Sequence, residues 1–211
     1  MKLHIKGDVN SVQNGIEILS KHLNIELSTE GHPIQVKNES GQLRIANQNG
    51  SGEISYDQPV HFFRALGLWI ENYQKNHEFD ISEDPNFEMS GVMLDASRNA
   101  VPTVTELEKL LQKMAIMGLN TLMLYTEDTY EVKEHPYFGY MRGRYTIEEL
   151  KSCDNYANKL GIEMIPCIQT LGHLREALKW NYASEFRDTD DILLVDEPKT
   201  YEFLENCIKA V

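Results

Sequence analysis

Between Phe87 and His173 one pattern occurs three times: a short apolar run, an abrupt polar cluster, then a stretch of helical periodicity. The runs are Gly91-Val92-Met93-Leu94, Leu119 to Tyr125 and Ile162 to Ile168. They end in Asp95-Ala96-Ser97-Arg98, Thr126-Glu127-Asp128 and Gln169-Thr170-Leu171-Gly172-His173. Near-continuous apolar runs suit buried strands of a parallel sheet, covered on both faces, rather than half-exposed strands that alternate. In parallel α/β architectures ligands bind outside the carboxyl ends of the strands, so polar tips there suit a substrate better than packing. A doubly wound sheet would usually show a glycine-rich phosphate loop after its first strand, and Asp-Ala-Ser-Arg lacks the G-x-G-x-x-G spacing. The fold class expected is therefore α/β, the first strands and helices of a (β/α)8 barrel. Three units do not close a barrel that typically needs ~250 residues, so the chain reads as truncated.

The helices between the runs carry their own signals. Thr103 and Glu106 have capping-box spacing, and Leu107, Leu110, Leu111, Met114 and Met117 form an inner face that Gly118 ends. Thr146 and Glu149 repeat the box ahead of Leu150, Cys153, Ala157 and Leu160. Tyr130 to Tyr145 holds four tyrosines and a phenylalanine among charges, and reads as a structured loop over the barrel mouth.

Residues 1–84 read as a separate small α+β domain, two helices on one antiparallel sheet. Lys2 to Lys6 alternates as a short strand. Ser11 is placed as the cap of a helix striped by Val12, Ile16, Leu19 and Leu23. Pro33 to Lys37, Gln42 to Ala46 and Gly52 to Tyr56 are strand-like, with turns at Ser40-Gly41 and Asn49-Gly50. Val60 to Tyr73 is a helix whose Phe62, Phe63, Leu66, Trp69, Ile70 and Tyr73 belong to the core. The acidic, proline-containing stretch Asp80 to Asn86 is placed as the boundary, leaving 85–211 to the barrel.

A net charge of −13 argues against nucleic acid or an anionic membrane surface as the partner, since both would repel it. The first residues have no signal-peptide core, and no run approaches the ~18 apolar residues of a membrane span, so a cytoplasmic location is expected. Cys153, Cys167 and Cys207 lie far apart without Cys-x-x-Cys spacing and read as small buried hydrophobes.

Among the tips, Arg98 offers the fork of donors that vicinal hydroxyls require, or else an ion pair with Asp95, Glu127 or Asp128. Glu127 and Asp128 cannot both face inward from a regular strand, so one points at the site and the other at a neighbouring element. His173 is either a satisfied buried histidine or part of a substrate or proton network. Asp196-Glu197 follows an apolar run and invites reading as a catalytic pair. Pro198 and the helix that starts after it make the two acids an exposed turn at a helix entry instead. The first strand lacks a His-x-His, so neither metal nor other cofactor is expected.

With these residues in hand, the second half resembles the start of the catalytic barrel of family 20 glycoside hydrolases, the β-N-acetylhexosaminidases. The motifs are Gly91-Val92-Met93-Leu94-Asp95-Ala96-Ser97-Arg98-Asn99, Thr126-Glu127-Asp128, Thr170-Leu171-Gly172-His173 and Pro198-Lys199-Thr200-Tyr201-Glu202-Phe203-Leu204. His61-Phe62-Phe63-Arg64-Ala65-Leu66 resembles the last helix of the small domain that precedes that barrel. The resemblance implies release of terminal β-linked N-acetylhexosamine by substrate assistance, with the sugar's 2-acetamido oxygen as nucleophile. It implies that Arg98, Glu127 or Asp128, and His173 bind the sugar of an N-acetylhexosamine-containing saccharide. The family's catalytic Asp-Glu pair lies after the helix that begins near Thr200, so no catalytic residue is assigned here and the chain by itself is expected to be inactive. Where the family usually has two aspartates, Glu127 stands first, which leaves the choice between Glu127 and Asp128 open. Glucosamine or galactosamine preference, and pairing as a homodimer, are left open too.

Overall fold

The computed structural model describes residues 1–98 and 100–211; Asn99, the last residue of the first-tip motif, lies outside them. The chain forms two compact units, each gathered from several stretches: Met1–Val92 with Leu107–Thr121 and Asn155–Glu163, and Met93–Glu106 with Leu122–Asp154 and Met164–Val211.

The first unit is built on a six-stranded sheet. Its elements are β1 (Lys2–Gly7), α1 (Gln13–His22), β2 (Glu26–Leu27), β3 (His32–Asn38), β4 (Leu43–Gln48), β5 (Ser51–Tyr56), α2 (Pro59–Lys75) and β6 (Phe79–Glu83). The strand order is β2-β1-β3-β5-β4-β6. The sheet is mixed, not antiparallel as expected: β1 runs parallel to β2 and β3, and β3 parallel to β5. Antiparallel pairing is confined to β4 with β5 and β6. Helix α1 carries the chain back so that β1 and β3 point the same way, and β5 inserts between β3 and β4. That insertion sets Ile54 opposite both Val36 and Ile45, three side chains with 0% exposure, in one row under α2. The β4–β5 reversal is the two-residue turn Asn49-Gly50, with φ of 51° and 75°, the left-handed pair that matches strand twist.

Most of the aromatic stripe of α2 is core as expected: Phe62, Phe63, Leu66 and Trp69 are fully buried, and the Trp69 indole N–H donates to the Ala46 carbonyl at 3.0 Å, but Tyr73, stacked on Trp69 at 4.8 Å, is only half-buried. Two local expectations are corrected. Val12, not Ser11, stands at the start of α1, and the Ser11 hydroxyl is bonded to that of Tyr56 at 3.1 Å. Much of the acidic stretch placed as a boundary belongs to β6. There Asp80 receives a fork from Arg44 at 2.8 and 2.7 Å, and Glu83 one from Arg64 at 3.0 and 2.9 Å. Asp80 faces outward, whereas Glu83, on the same face as Ile81, reaches Arg64 of α2; both stand on an edge strand, so they look like linker residues although their backbone is paired.

The repeating pattern folds as β7 (Gly91–Asp95), α3 (Val104–Met117), β8 (Thr121–Thr126), α4 (Ile147–Lys159) and β9 (Glu163–Ile168). The sheet order is β7-β8-β9. The start of each strand bonds to the start of the next, Asn120 to Ser90 and Glu163 to Asn120. Ends meet ends, Ala96 to Tyr125 and Gln169 to Thr126, so the strands are parallel. Central β8 is the strand with near-continuous burial; β7 and β9 are half-exposed, because each has a neighbour on one side. The Thr146–Glu149 box forms in both directions, at 3.1 and 2.8 Å. On α3, Leu107, Leu111 and Met114 are buried, but Met117 is exposed because it falls on the helix's last residue.

The second unit has an aromatic core of Tyr130, Phe138, Phe186 and Phe203 with Leu174, Leu178 and Cys207. Phe203 comes from α6 (Pro198–Lys209) and stacks on Phe186 with ring centroids 5.0 Å apart. Leu178 ends the short α5 (Arg175–Leu178). Asp196-Glu197 is the helix entry that the sequence suggests: the Glu197 carboxylate accepts from the Lys199 N–H at 3.3 Å and Pro198 occupies the first turn.

Candidate functional site

The three strand tips meet in the second unit. At the first, Asp95 stops β7 by accepting from both the hydroxyl and the N–H of Ser97, at 2.6 and 2.8 Å. The same two bonds hold the Asp95 carboxyl below its ordinary range. This turn sends Arg98 outward, with a side chain 66% exposed. Its guanidinium lies 3.4 Å from Glu127 Oε1 and 3.7 Å from Asp95 Oδ2. Tightly hydrogen-bonded ion pairs are shorter, so among the described residues Arg98 is only loosely paired, and it lines the cleft described below.

At the second tip Thr126, Glu127, Asp128 and Thr129 are all buried. Alternation turns the two acids to opposite sides. Glu127 faces Arg98; Asp128 faces Arg142, whose Nε donates to its Oδ1 at 3.2 Å. Arg142 also donates to the Ser97 carbonyl, and the Thr129 hydroxyl donates to the Ala96 carbonyl at 2.8 Å, so two ties join the first tip to the second. Burial pushes the Glu127 carboxyl above its usual range; Arg98 and His173 pull the other way, and Asp128 and Asp95 reinforce burial. Burial raises the Asp128 carboxyl as well, against the opposing charge of Arg142.

The third tip ends in His173, exposed and in the left-handed region at φ 59°. The backbone beyond it is held by Asp191: its carbonyl accepts from the Leu174 N–H and its carboxylate from the Arg175 N–H, each at 3.2 Å.

Arg98, Glu127 and His173 line one cleft of about 390 Å³, together with Arg142, Arg175, Glu176 and Asp191. That volume is the size of a monosaccharide-scale site. Its walls combine cationic donors with carboxylate acceptors, the complement of a polyol, each of whose hydroxyls both donates and accepts. Of the four residues singled out from the sequence, three share the cleft and Asp128 lies behind it, turned to Arg142. Four lining residues escaped the sequence reading. Arg142 alone had a signal: if one of two adjacent acids points inward it needs a cation, and the excursion between the second and third tips carries Arg142 and Arg144.

Comparison with known proteins gives a consistent result. The model for glycosyl hydrolase family 20, catalytic domain, matches residues 87–211. The chain is 26% identical over 208 residues to a probable beta-hexosaminidase of Arthroderma benhamiae, covering 82% of this chain and 34% of that protein. It is 28% identical over 168 residues to a beta-hexosaminidase of Vibrio furnissii, covering 62% and 27%. In fold it matches the GH20 exo beta-N-acetylglucosaminidase of Vibrio harveyi in complex with N-acetylglucosamine, with a TM-score of 0.79 at 21% identity over 99% of this chain and 40% of that one. The Streptomyces plicatus N-acetyl-beta-hexosaminidase in complex with Thio-NAglucal gives 0.78 at 17% identity, over 98% and 51%. The chain thus spans about a third of the curated relatives it matches and 40% and 51% of these structures.

Proposed function

Since the chain belongs to family 20 of the glycosyl hydrolases, we propose that it supplies the sugar-holding strand tips of a β-N-acetylhexosaminidase that releases terminal β-linked N-acetylhexosamine. The observation that carries this reading is the convergence of Arg98, Glu127 and His173 on one cleft from three successive strand ends. The names of the relatives support the activity, and the sugar bound in the Vibrio harveyi enzyme supports the ligand.

In this reading the guanidinium of Arg98 donates to adjacent hydroxyls of the terminal sugar and fixes the ring against in-line attack. Glu127, with its carboxyl raised by burial, shares hydroxyl protons with the same ring. His173 completes the polar wall, and Asp128 braces the second tip from behind. The chemical step is internal to the substrate. The 2-acetamido oxygen bonds to the anomeric carbon as the glycosidic bond breaks, the leaving oxygen takes a proton from an acid, and water then opens the cyclic intermediate with retained configuration. The reading also includes a cytoplasmic place in carbohydrate metabolism, and the acidic surface supports neutral saccharides over nucleic acid or anionic membrane.

The test is a titration of N-acetylglucosamine into this chain, followed by chemical-shift changes. Signals of Arg98, Glu127 and His173 should move together, and Arg98→Ala should weaken binding by roughly 10- to 100-fold, the worth of one or two hydrogen bonds from a charged donor. Because Arg98 is mostly exposed, its loss should leave the melting temperature nearly unchanged. A chain in which these signals ignore the sugar, or an alanine variant that binds as tightly, refutes the proposal.

A further inference from the structure

One side chain touches both tips that carry the proposed sugar contacts without itself standing at either. Arg142 donates to the carbonyl of Ser97, the residue before Arg98, and to the carboxylate of Asp128, the residue after Glu127. We propose that Arg142 is a positioning residue: its planar fork sets the separation of the first two tips and thereby holds Arg98 and Glu127 at their 3.4 Å approach.

Three observations carry this. Arg142 is built in, with a side chain 12% exposed against an Asp128 side chain at 1%. A buried guanidinium in a fixed fork can define a distance, whereas a lysine ammonium on a flexible stem is a point charge that cannot. The excursion that brings it is pressed onto the second tip. Gly139 has φ +68°, and a Cβ there would lie 2.1 Å from the Asp128 carbonyl oxygen, so only glycine permits the approach. From Gly139 the chain turns at once, the Arg142 N–H bonding to the Gly139 carbonyl at 3.1 Å, and Tyr145 closes the excursion on the Thr129 carbonyl at 2.9 Å. Finally, Asp128 Oδ2 has no hydrogen-bond partner among the described residues. Its Oδ1 bond to Arg142 is therefore a main constraint on that buried carboxylate.

The simpler role, neutralising Asp128, predicts that any cation will serve. Arg142→Lys separates the two, because it keeps the charge and loses the fork. Carbon-detected titration of the Glu127 carboxyl in this chain is the primary readout. If the fork positions the tips, Arg98 drifts from Glu127 in the lysine variant and the Glu127 midpoint rises by about half a pH unit or more. Affinity for N-acetylglucosamine falls on the order of tenfold. An unmoved Glu127 midpoint in a folded lysine variant overturns the proposal. Should that variant not fold, Arg142→Ala is examined with added guanidinium or methylammonium ion. Recovery of the Glu127 signal with guanidinium alone supports the fork; equal recovery, or none, with both overturns it. The affinity arm rests on the sugar reading, but the titration does not. A wild-type chain indifferent to the sugar would defeat the proposed function and still leave the titration to decide Arg142.

Discussion

Replacing Thr129 with valine removes one hydroxyl from the other tie between the first and second tips. Thr129 is fully buried, and its Oγ1 donates to the Ala96 carbonyl at 2.8 Å, two residues before Arg98. Valine fills nearly the same volume, so no cavity opens. What is lost is a buried hydrogen bond, and what remains is a carbonyl shut away from water. A buried acceptor stripped of its donor costs about 1–3 kcal/mol, and the methyl that replaces the hydroxyl is easier to bury, which brings the expectation to about 1.5–2 kcal/mol. For a chain of this length each kcal/mol moves the thermal midpoint by roughly 2–4 °C, so a fall of about 3–8 °C is expected. Urea unfolding followed by circular dichroism should give the same loss with an unchanged m-value. The side-chain signals of Arg98 should broaden or shift as the tie loosens. A valine variant within about 0.5 kcal/mol of the parent would mean that the Thr129–Ala96 bond adds nothing over solvation, and the account of the tips as tied elements would fail.

Two further outcomes follow from the same structure. Phe203→Ala, in the aromatic core against Phe186 and Phe138, should destabilise by about 3–5 kcal/mol in denaturant unfolding; a loss under about 1.5 kcal/mol would show that the ring is not packed as described. The second concerns pH. Burial holds the Glu127 carboxyl above its unfolded value, so the folded state binds that proton more tightly. The stability it contributes is full below the unfolded carboxylate range and is lost as pH rises through the raised folded value. Glu127→Gln abolishes this dependence. Its stability relative to the parent should therefore grow between about pH 4 and pH 7 in a series of urea titrations, and a constant or shrinking difference would contradict the assigned direction.

Local chemistry made much of this protein legible. Three apolar runs each ending in polar residues point to parallel strands with polar tips, because the pattern depends on residue type and strand geometry. The Thr146–Glu149 box, the Asn49-Gly50 turn and the Pro198 helix entry are short-range interactions, and all three form as their residues dictate. Arg98, Glu127 and His173 stood out for the same reason, as polar residues at strand ends, although Asp95 and Asp128 at the same ends serve the structure by holding Ser97 and Arg142.

Tertiary structure decided what depends on partners distant in sequence. A turn reverses the chain but does not choose a neighbour, so the insertion of β5 between β3 and β4 required the burial of Ile54 against two strands at once. The acids of β6 could be told from a linker only by Arg44 and Arg64, 36 and 19 residues away. Which of Glu127 and Asp128 faces the cleft turned on the cation each one meets: Glu127 points at Arg98, and Asp128 at Arg142, 14 residues beyond it. That cation arrives on an excursion with no periodic pattern, positioned by the close approach of Gly139 to a backbone carbonyl, a contact that no spacing in the chain announces.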